Sequence, residues 1–284
     1  MVRNVGRKAP VLLLIVLISW SWLCITASSA LPFGTRGGKD AEEEQKQGDD
    51  QPAAKDNDDE TYIQIVDPDG SLQYTSQASN NDRVRRMEFV ESFFMGGSED
   101  DLHKEIKARA HNMTSFLVGT RRALHQKPEL MYQEVQTSLM IQDALKDMGI
   151  EYSTGWAINT HTDRMVGKGG YGIVADIGTG AEPCVLLRAD IDALPILERT
   201  EGVDGFKSQH DGKMHACGHD GHTTMLLGAA SLLKEMEDSI NGTVRVMFQP
   251  AEEGGAGAKR MREEGVLQLE PKPQYAFGMH VWPT

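Results

Sequence analysis

The run Pro183-Cys184-Val185-Leu186-Leu187-Arg188-Ala189-Asp190-Ile191-Asp192-Ala193-Leu194-Pro195 is apolar through residues 183–191 and carries two aspartates where that character gives out. A short Val/Ile/Leu-rich segment bounded by proline reads as a buried strand. Residues 171–177, 242–248 and 274–282 have the same character. Residues 221–236 and 256–264 between them read as helices. Upstream, 102–125 reads as a helix with Ile106, Ala110, Phe116 and Leu117 on its inner face, ended by Pro128. A second helix, 133–148, turns Leu139, Ile141, Leu145 and Met148 inward, and Gly149 stops it. Strands alternating with helices predict an α/β fold, a mainly parallel sheet flanked by helices. Sites in such folds form at the C-terminal ends of the strands.

The 284-residue chain has a net charge of −13, placed unevenly. Residues 31–101 hold 18 acidic and 7 basic groups, so −11 of the total belongs to that segment. It is too polar to bury a core and reads as a mostly disordered linker. Nothing is basic enough for a nucleic-acid groove. Three cysteines, Cys24, Cys184 and Cys217, cannot build a disulfide scaffold. Residues 1–30 read as a signal peptide or an uncleaved signal anchor: Arg3, Arg7 and Lys8 precede an apolar run over 11–25, then Ala27-Ser28-Ser29-Ala30. The expected location is therefore the secretory pathway: the ER lumen, the exterior, or a compartment reached through it. Membrane contact would come only through an uncleaved anchor. The triplets Asn112-Met113-Thr114 and Asn241-Gly242-Thr243 are compatible with that route.

The densest chemistry lies in Met214-His215-Ala216-Cys217-Gly218-His219-Asp220-Gly221-His222, at a loop-to-helix junction. Cys217 and His219, two apart, project to the same side of an extended chain and can hold one metal or span two. Asp190 and Asp192, where a strand runs out, can orient a ligating histidine through its second nitrogen, or simply cap the strand. In Phe248-Gln249-Pro250-Ala251-Glu252-Glu253-Gly254-Gly255-Ala256-Gly257 the two glutamates face opposite ways, so one can ligate metal while the other moves a proton. The glycines lack the Lys-Ser/Thr of a phosphate loop, and no Gly-x-Ser-x-Gly elbow occurs in the chain. His280 ends the last strand, where a lone histidine is usually structural. All these groups follow strands of one domain and should converge on one sheet edge. Nitrogen, sulfur and oxygen donors together suit zinc, manganese or cobalt better than magnesium or calcium.

Read in order, Leu124-His125-Gln126-Lys127-Pro128-Glu129-Leu130, the 188–195 segment, the 214–222 cluster, 248–255 and Gly278-Met279-His280-Val281 resemble the metal-dependent amidohydrolases of the aminoacylase/carboxypeptidase clan. Within it the motifs look most like plant-type auxin (IAA) amino-acid conjugate hydrolases and bacterial hippurate and N-acyl-amino-acid hydrolases. The resemblance covers roughly 105–284. It implies two divalent metal ions, Mn2+ or Zn2+, and an N-acyl amino acid substrate whose amide is cleaved by metal-activated water. Carried over by position, Cys217 bridges the metals, with His219, Glu253 and His280 as further ligands. Glu252 is then the general base, Asp190 and Asp192 support the ligands, and His222 steadies the loop. Family members continue past this point with a dimerisation domain and a last histidine ligand. The chain is therefore expected to be a truncated form, 102–284 being the N-terminal part of the catalytic domain, and full-length relatives are expected to be homodimers. Two other readings are a catalytically dead fragment with a binding or regulatory role, and a clan metallopeptidase acting on peptides.

Overall fold

A computed structural model of the protein describes residues 64–66, 72–74, 99–203 and 205–281. The expected signal segment and most of the acidic linker lie outside the described residues, as does Trp282. Among the described residues no helix is long and apolar enough to cross a membrane.

Among the described residues, seven strands form one sheet: β1 (Gln64–Val66), β2 (Leu72–Tyr74), β3 (Tyr152–Ile158), β4 (Gly169–Gly178), β5 (Cys184–Asp190), β6 (Thr243–Gln249) and β7 (Pro273–Gly278). Five helices accompany them: α1 (Glu99–Asn112), α2 (Thr114–Gln126), α3 (Val135–Asp147), α4 (His219–Glu235) and α5 (Gly257–Glu263). The strand order is β2-β1-β7-β5-β6-β4-β3. The α/β architecture is the expected one, but the sheet is mixed rather than mainly parallel. Only β5 pairs in parallel, with β6 and β7; the other four pairings are antiparallel. A parallel return needs a long crossover such as α4 between β5 and β6. The loop joining β3 to β4 contains no helix and brings the chain back antiparallel.

The central strands are buried on both faces. Ile173, Ala175 and Ile177 of β4, Val185, Leu187 and Ala189 of β5, and Val244, Val246 and Phe248 of β6 pack against α1, α3 and α4. The alternate residues Val174, Leu186 and Met247 meet Met261 of α5 and Val266. This period-2 division makes three layers, helix–sheet–helix. On the thinner side Arg245, 1% exposed, donates to both carboxylate oxygens of its cross-strand neighbour Asp176 at 2.8 Å and to the Leu269 carbonyl at 2.9 Å.

Other expectations are corrected. The single helix over 102–125 is two helices. It breaks at Met113, where the Thr114 hydroxyl donates to the His111 carbonyl at 2.6 Å and competes with the helical backbone. Phe116 and Leu139 are not inner residues but 37% and 46% exposed. In α3 the buried stripe runs Thr137, Ile141, Leu145 at four-residue spacing, and Leu139 lies off that line. Strand β3, and β1 and β2 within the presumed linker, carry no sustained apolar run and gave no signal.

Candidate metal centre

The parallel trio builds the site. Strands β5, β6 and β7 run the same way, so Asp190, Gln249 and Gly278 end on one edge. The loops leaving that edge carry Asp192, the Glu252–Glu253 pair and His280, and α4 begins there with His219. Gly218, with φ +94°, makes the turn into α4. A Cβ on it would lie 2.2 Å from Val281 Cγ2, so the turn and the 280–281 segment pack in direct contact.

His219 is fully buried. Its Nδ1–H donates to the Asp192 backbone carbonyl at 2.8 Å, which leaves Nε2 as the nitrogen that faces the site and can ligate once deprotonated. Nε2 has no hydrogen-bond partner, and Glu252 Oε2 and Glu253 Oε1 each stand 3.8 Å from it; the pair expected to face opposite ways in extended chain converges here because the backbone turns at 253–255. Glu253 Oε1 is likewise buried and unpartnered, while the Glu253 N–H donates to Asp192 Oδ2 at 2.9 Å. His280 repeats the His219 pattern: Nδ1 donates to the Val281 carbonyl at 2.7 Å, and Nε2 faces Cys217 Sγ at 3.1 Å. Two imidazoles with Nδ1 tied to a carbonyl and Nε2 presented is the arrangement that readies histidine for metal. The ligand atoms of Cys217, His219 and His280 lie within 4.8 Å of one another, as do those of His219, Glu252 and Glu253, and those of Asp190, His219 and His222.

The donor set fits a thiophilic divalent metal, and the two orphaned atoms on His219 and Glu253 are what a cation between them would satisfy. The electrostatics agree. Burial disfavours a charged His219, but Asp192, Asp190 and Glu253 outweigh it and lift the imidazole to about 9. Burial and the nearby Glu253 push the Cys217 thiol up to about 12. Excess negative charge is thus concentrated around these groups, and a cation would relieve it.

All eight residues singled out from sequence come together. Asp190 is buried. Its Oδ1 accepts from His222 Nδ1 at 2.6 Å and its Oδ2 from Arg188 Nη1 at 2.7 Å, with His219 Nε2 3.6 Å from Oδ2. Burial opposes its ionisation, yet His222, Arg188 and His219 hold the carboxyl well below the usual range. His222 Nε2 accepts the Val281 N–H at 2.9 Å, so the ring ties α4 to the His280 segment.

Sequence reasoning assigned no role to several neighbours. His125, quoted only as part of a motif, lies 2.9 Å from Asp220 and 3.0 Å from Glu198, both buried. Buried Glu134 and Tyr132 hold the turn that carries the glutamate pair. Motif spacing contains no trace of these long-range pairings.

With the geometry in place, comparison with known proteins is informative. Residues 186–284 match the model of peptidase family M20/M25/M40. It is 48% identical over 174 residues to IAA-amino acid hydrolase ILR1-like 5 of Arabidopsis thaliana, covering 61% of this chain and 36% of the relative. It is 48% identical over 170 residues to N-acetyl-L-cysteine deacetylase of Bacillus subtilis, covering 57% and 38%. Among solved structures, the Bacillus subtilis YXEP protein, described as a dinuclear metal-binding peptidase of the M20 family, superposes with a TM-score of 0.52 at 41% identity, covering 61% of this chain and 44% of that one. The chain thus spans little more than a third of the curated relatives' length. The resemblance drawn from the motifs stands.

Proposed function

We propose that residues 102–284 belong to the catalytic domain of a metal-dependent amidohydrolase that cleaves the amide bond of N-acyl amino acids, indole-3-acetic acid conjugates among them. The observation that carries the reading is the buried, unpartnered Nε2 of His219 facing both Glu252 and Glu253 at 3.8 Å. The names of the relatives, an IAA-amino acid hydrolase and an N-acetylcysteine deacetylase, supply the substrate class.

In this reading Cys217 as thiolate, His219, Glu253 and His280 hold two divalent ions, zinc or manganese. When bound, these ions supply Lewis-acid chemistry that polarises the amide carbonyl and acidifies water. The residues of the chain do the rest. Asp192 and the Val281 carbonyl fix the tautomers of His219 and His280. Asp190, through His222, holds the 280–281 segment against α4. Glu252, with 40% of its side chain exposed, opens to solvent while its neighbour Glu253 keeps 20%. It is placed to take a proton from the attacking water and return it to the leaving nitrogen. Passage through the secretory pathway belongs to the same proposal, supported by the 1–30 pattern.

A second reading, peptide hydrolysis, is favoured by 42% identity over 183 residues to Thermostable carboxypeptidase 2 of Saccharolobus solfataricus. Assaying the protein with manganese or zinc on acyl-amino acids and on peptides separates the two. Glu252→Gln should abolish turnover and leave metal content nearly intact, whereas Cys217→Ala should lower both. Turnover retained by Glu252→Gln would remove Glu252 as the base.

A further inference from the structure

Glu134 is the fully buried residue that opens α3, far in sequence from the metal centre. Its Oε1 accepts two backbone N–H groups, that of Tyr132 at 3.0 Å and that of Ala251 at 2.8 Å. Ala251 immediately precedes Glu252, is itself fully buried, and sits at φ +56°, a left-handed conformation that alanine avoids unless held. From the same loop the Tyr132 hydroxyl donates to the Gly255 carbonyl at 2.5 Å. The turn between these anchors has no slack. A Cβ on Gly255 would meet Ala251 Cβ at 2.6 Å and Tyr132 Cε2 at 2.9 Å, and one on Gly257 would meet the Pro250 carbonyl oxygen at 1.7 Å. The Gly257 N–H closes the turn on the Ala251 carbonyl at 3.0 Å. Glu252 and Glu253 therefore leave a backbone gripped at both ends by one short segment of a different element.

We propose that Glu134 and Tyr132 are positioning residues that clamp the 250–257 turn and so aim Glu252 and Glu253 at His219. The proposal rests on the metal-centre reading given above, in which that pair serves the metals and the proton. Neither residue reaches the reacting atoms. Glu134 acts through the Ala251 N–H and Tyr132 through the Gly255 carbonyl.

The test uses the full chain with Glu134→Leu, Glu134→Gln and Tyr132→Phe and two readouts: amide hydrogen exchange without metal, and titration with Co2+ followed by the visible absorption of cobalt bound to the Cys217 thiolate. Glu134→Leu should speed exchange at Ala251 and across 251–257 by about 10-fold or more while the β5–β6 core keeps its protection. It should also weaken Co2+ binding by about 10- to 100-fold. Glu134→Gln keeps an acceptor oxygen for both N–H groups and should restore wild-type behaviour, which a role in charge alone would not allow. Tyr132→Phe keeps the ring packing and loses one anchor, so it should shift both readouts the same way by less. It decides the matter if Glu134→Leu does not fold. Unchanged exchange in 251–257 overturns the clamp, and faster exchange with unchanged Co2+ affinity overturns its positioning role. A wild-type chain that takes up no Co2+ overturns the metal-centre reading itself, and the positioning role with it, while the exchange data still report on the clamp.

Discussion

Metal uptake by this site should be coupled to the loss of about two protons per chain near pH 7 from Cys217 and His219 alone. In the metal-free protein His219 is lifted to about 9 by Asp192, Asp190 and Glu253, against the effect of burial, and burial with Glu253 pushes Cys217 to about 12. At pH 7 a group titrating at about 9 is about 99% protonated, and the thiol is fully so. Both must lose their proton to ligate. With ordinary values of about 6.5 and 8.5, His219 would be only about 24% protonated, and the pair would release about 1.2 protons. Two protons make the affinity rise about 100-fold per pH unit, or about 2.7 kcal/mol. The assay is calorimetric titration of the metal-free chain with Zn2+ in two buffers of different ionisation enthalpy, whose difference in apparent heat counts the protons. A count near one would refute the argument that the carboxylates hold His219 charged before metal arrives. The same shift fixes the pH dependence of the metal-free fold. The folded value lies above the unfolded one, so the contribution of His219 to stability is complete below about 6.5 and lost as pH rises through about 9.

Gly218→Ala should lower stability by about 2–4 kcal/mol in urea unfolding, from a left-handed alanine and the overlap with Val281, and should displace His280. His222→Ala removes the contacts to both Asp190 and the Val281 N–H; metal affinity measured by competition with a chelator should fall about 10- to 100-fold, and an unchanged value would show that His280 needs no such tether. Arg245→Ala should cost about 3 kcal/mol, at the lower end for a buried pair because Asp176 keeps 38% exposure and can be rehydrated; denaturant unfolding measures it, with Arg245→Met recovering most of the loss.

What was legible in the sequence is what local pattern encodes. The central strands announce themselves because they are buried on both faces and therefore rich in apolar residues, as Val244, Val246, Met247 and Phe248 of β6 show, with buried Arg245 the charged exception. The candidate ligand set is legible because its members follow those strands within a few residues. Strand β3 is silent because most of its residues are exposed and nothing forces them to be apolar. Its pairing with β4 is antiparallel for a topological reason that composition does not carry. The break at Met113 depends on one hydroxyl, and helical periodicity passes over it. Glu134 is silent for a different reason. A glutamate before a helix reads as an ordinary helix start, and only the fold brings the Ala251 N–H to it from 117 residues away.

The three histidines of Met214–His222 show how far identical residue types diverge once placed. His219 has Nδ1 committed to a carbonyl and Nε2 without a partner, so it can ligate once it gives up its proton. His222 has both nitrogens committed, donating to Asp190 and accepting from Val281, so it can only tie elements together. His215 is 5% exposed with neither nitrogen bonded, and burial pushes it down to about 4, so it stays neutral and packs near His125 as a ring. The sequence presents one cluster; hydrogen bonding divides it into a candidate ligand, a tether and a packing residue. Substituting the three one at a time should therefore give three distinct phenotypes: loss of metal for His219→Ala, weakened metal binding for His222→Ala, and lower stability with metal affinity retained for His215→Ala. Equal metal loss in all three, measured on folded protein, would mean that the division by hydrogen bonding is wrong.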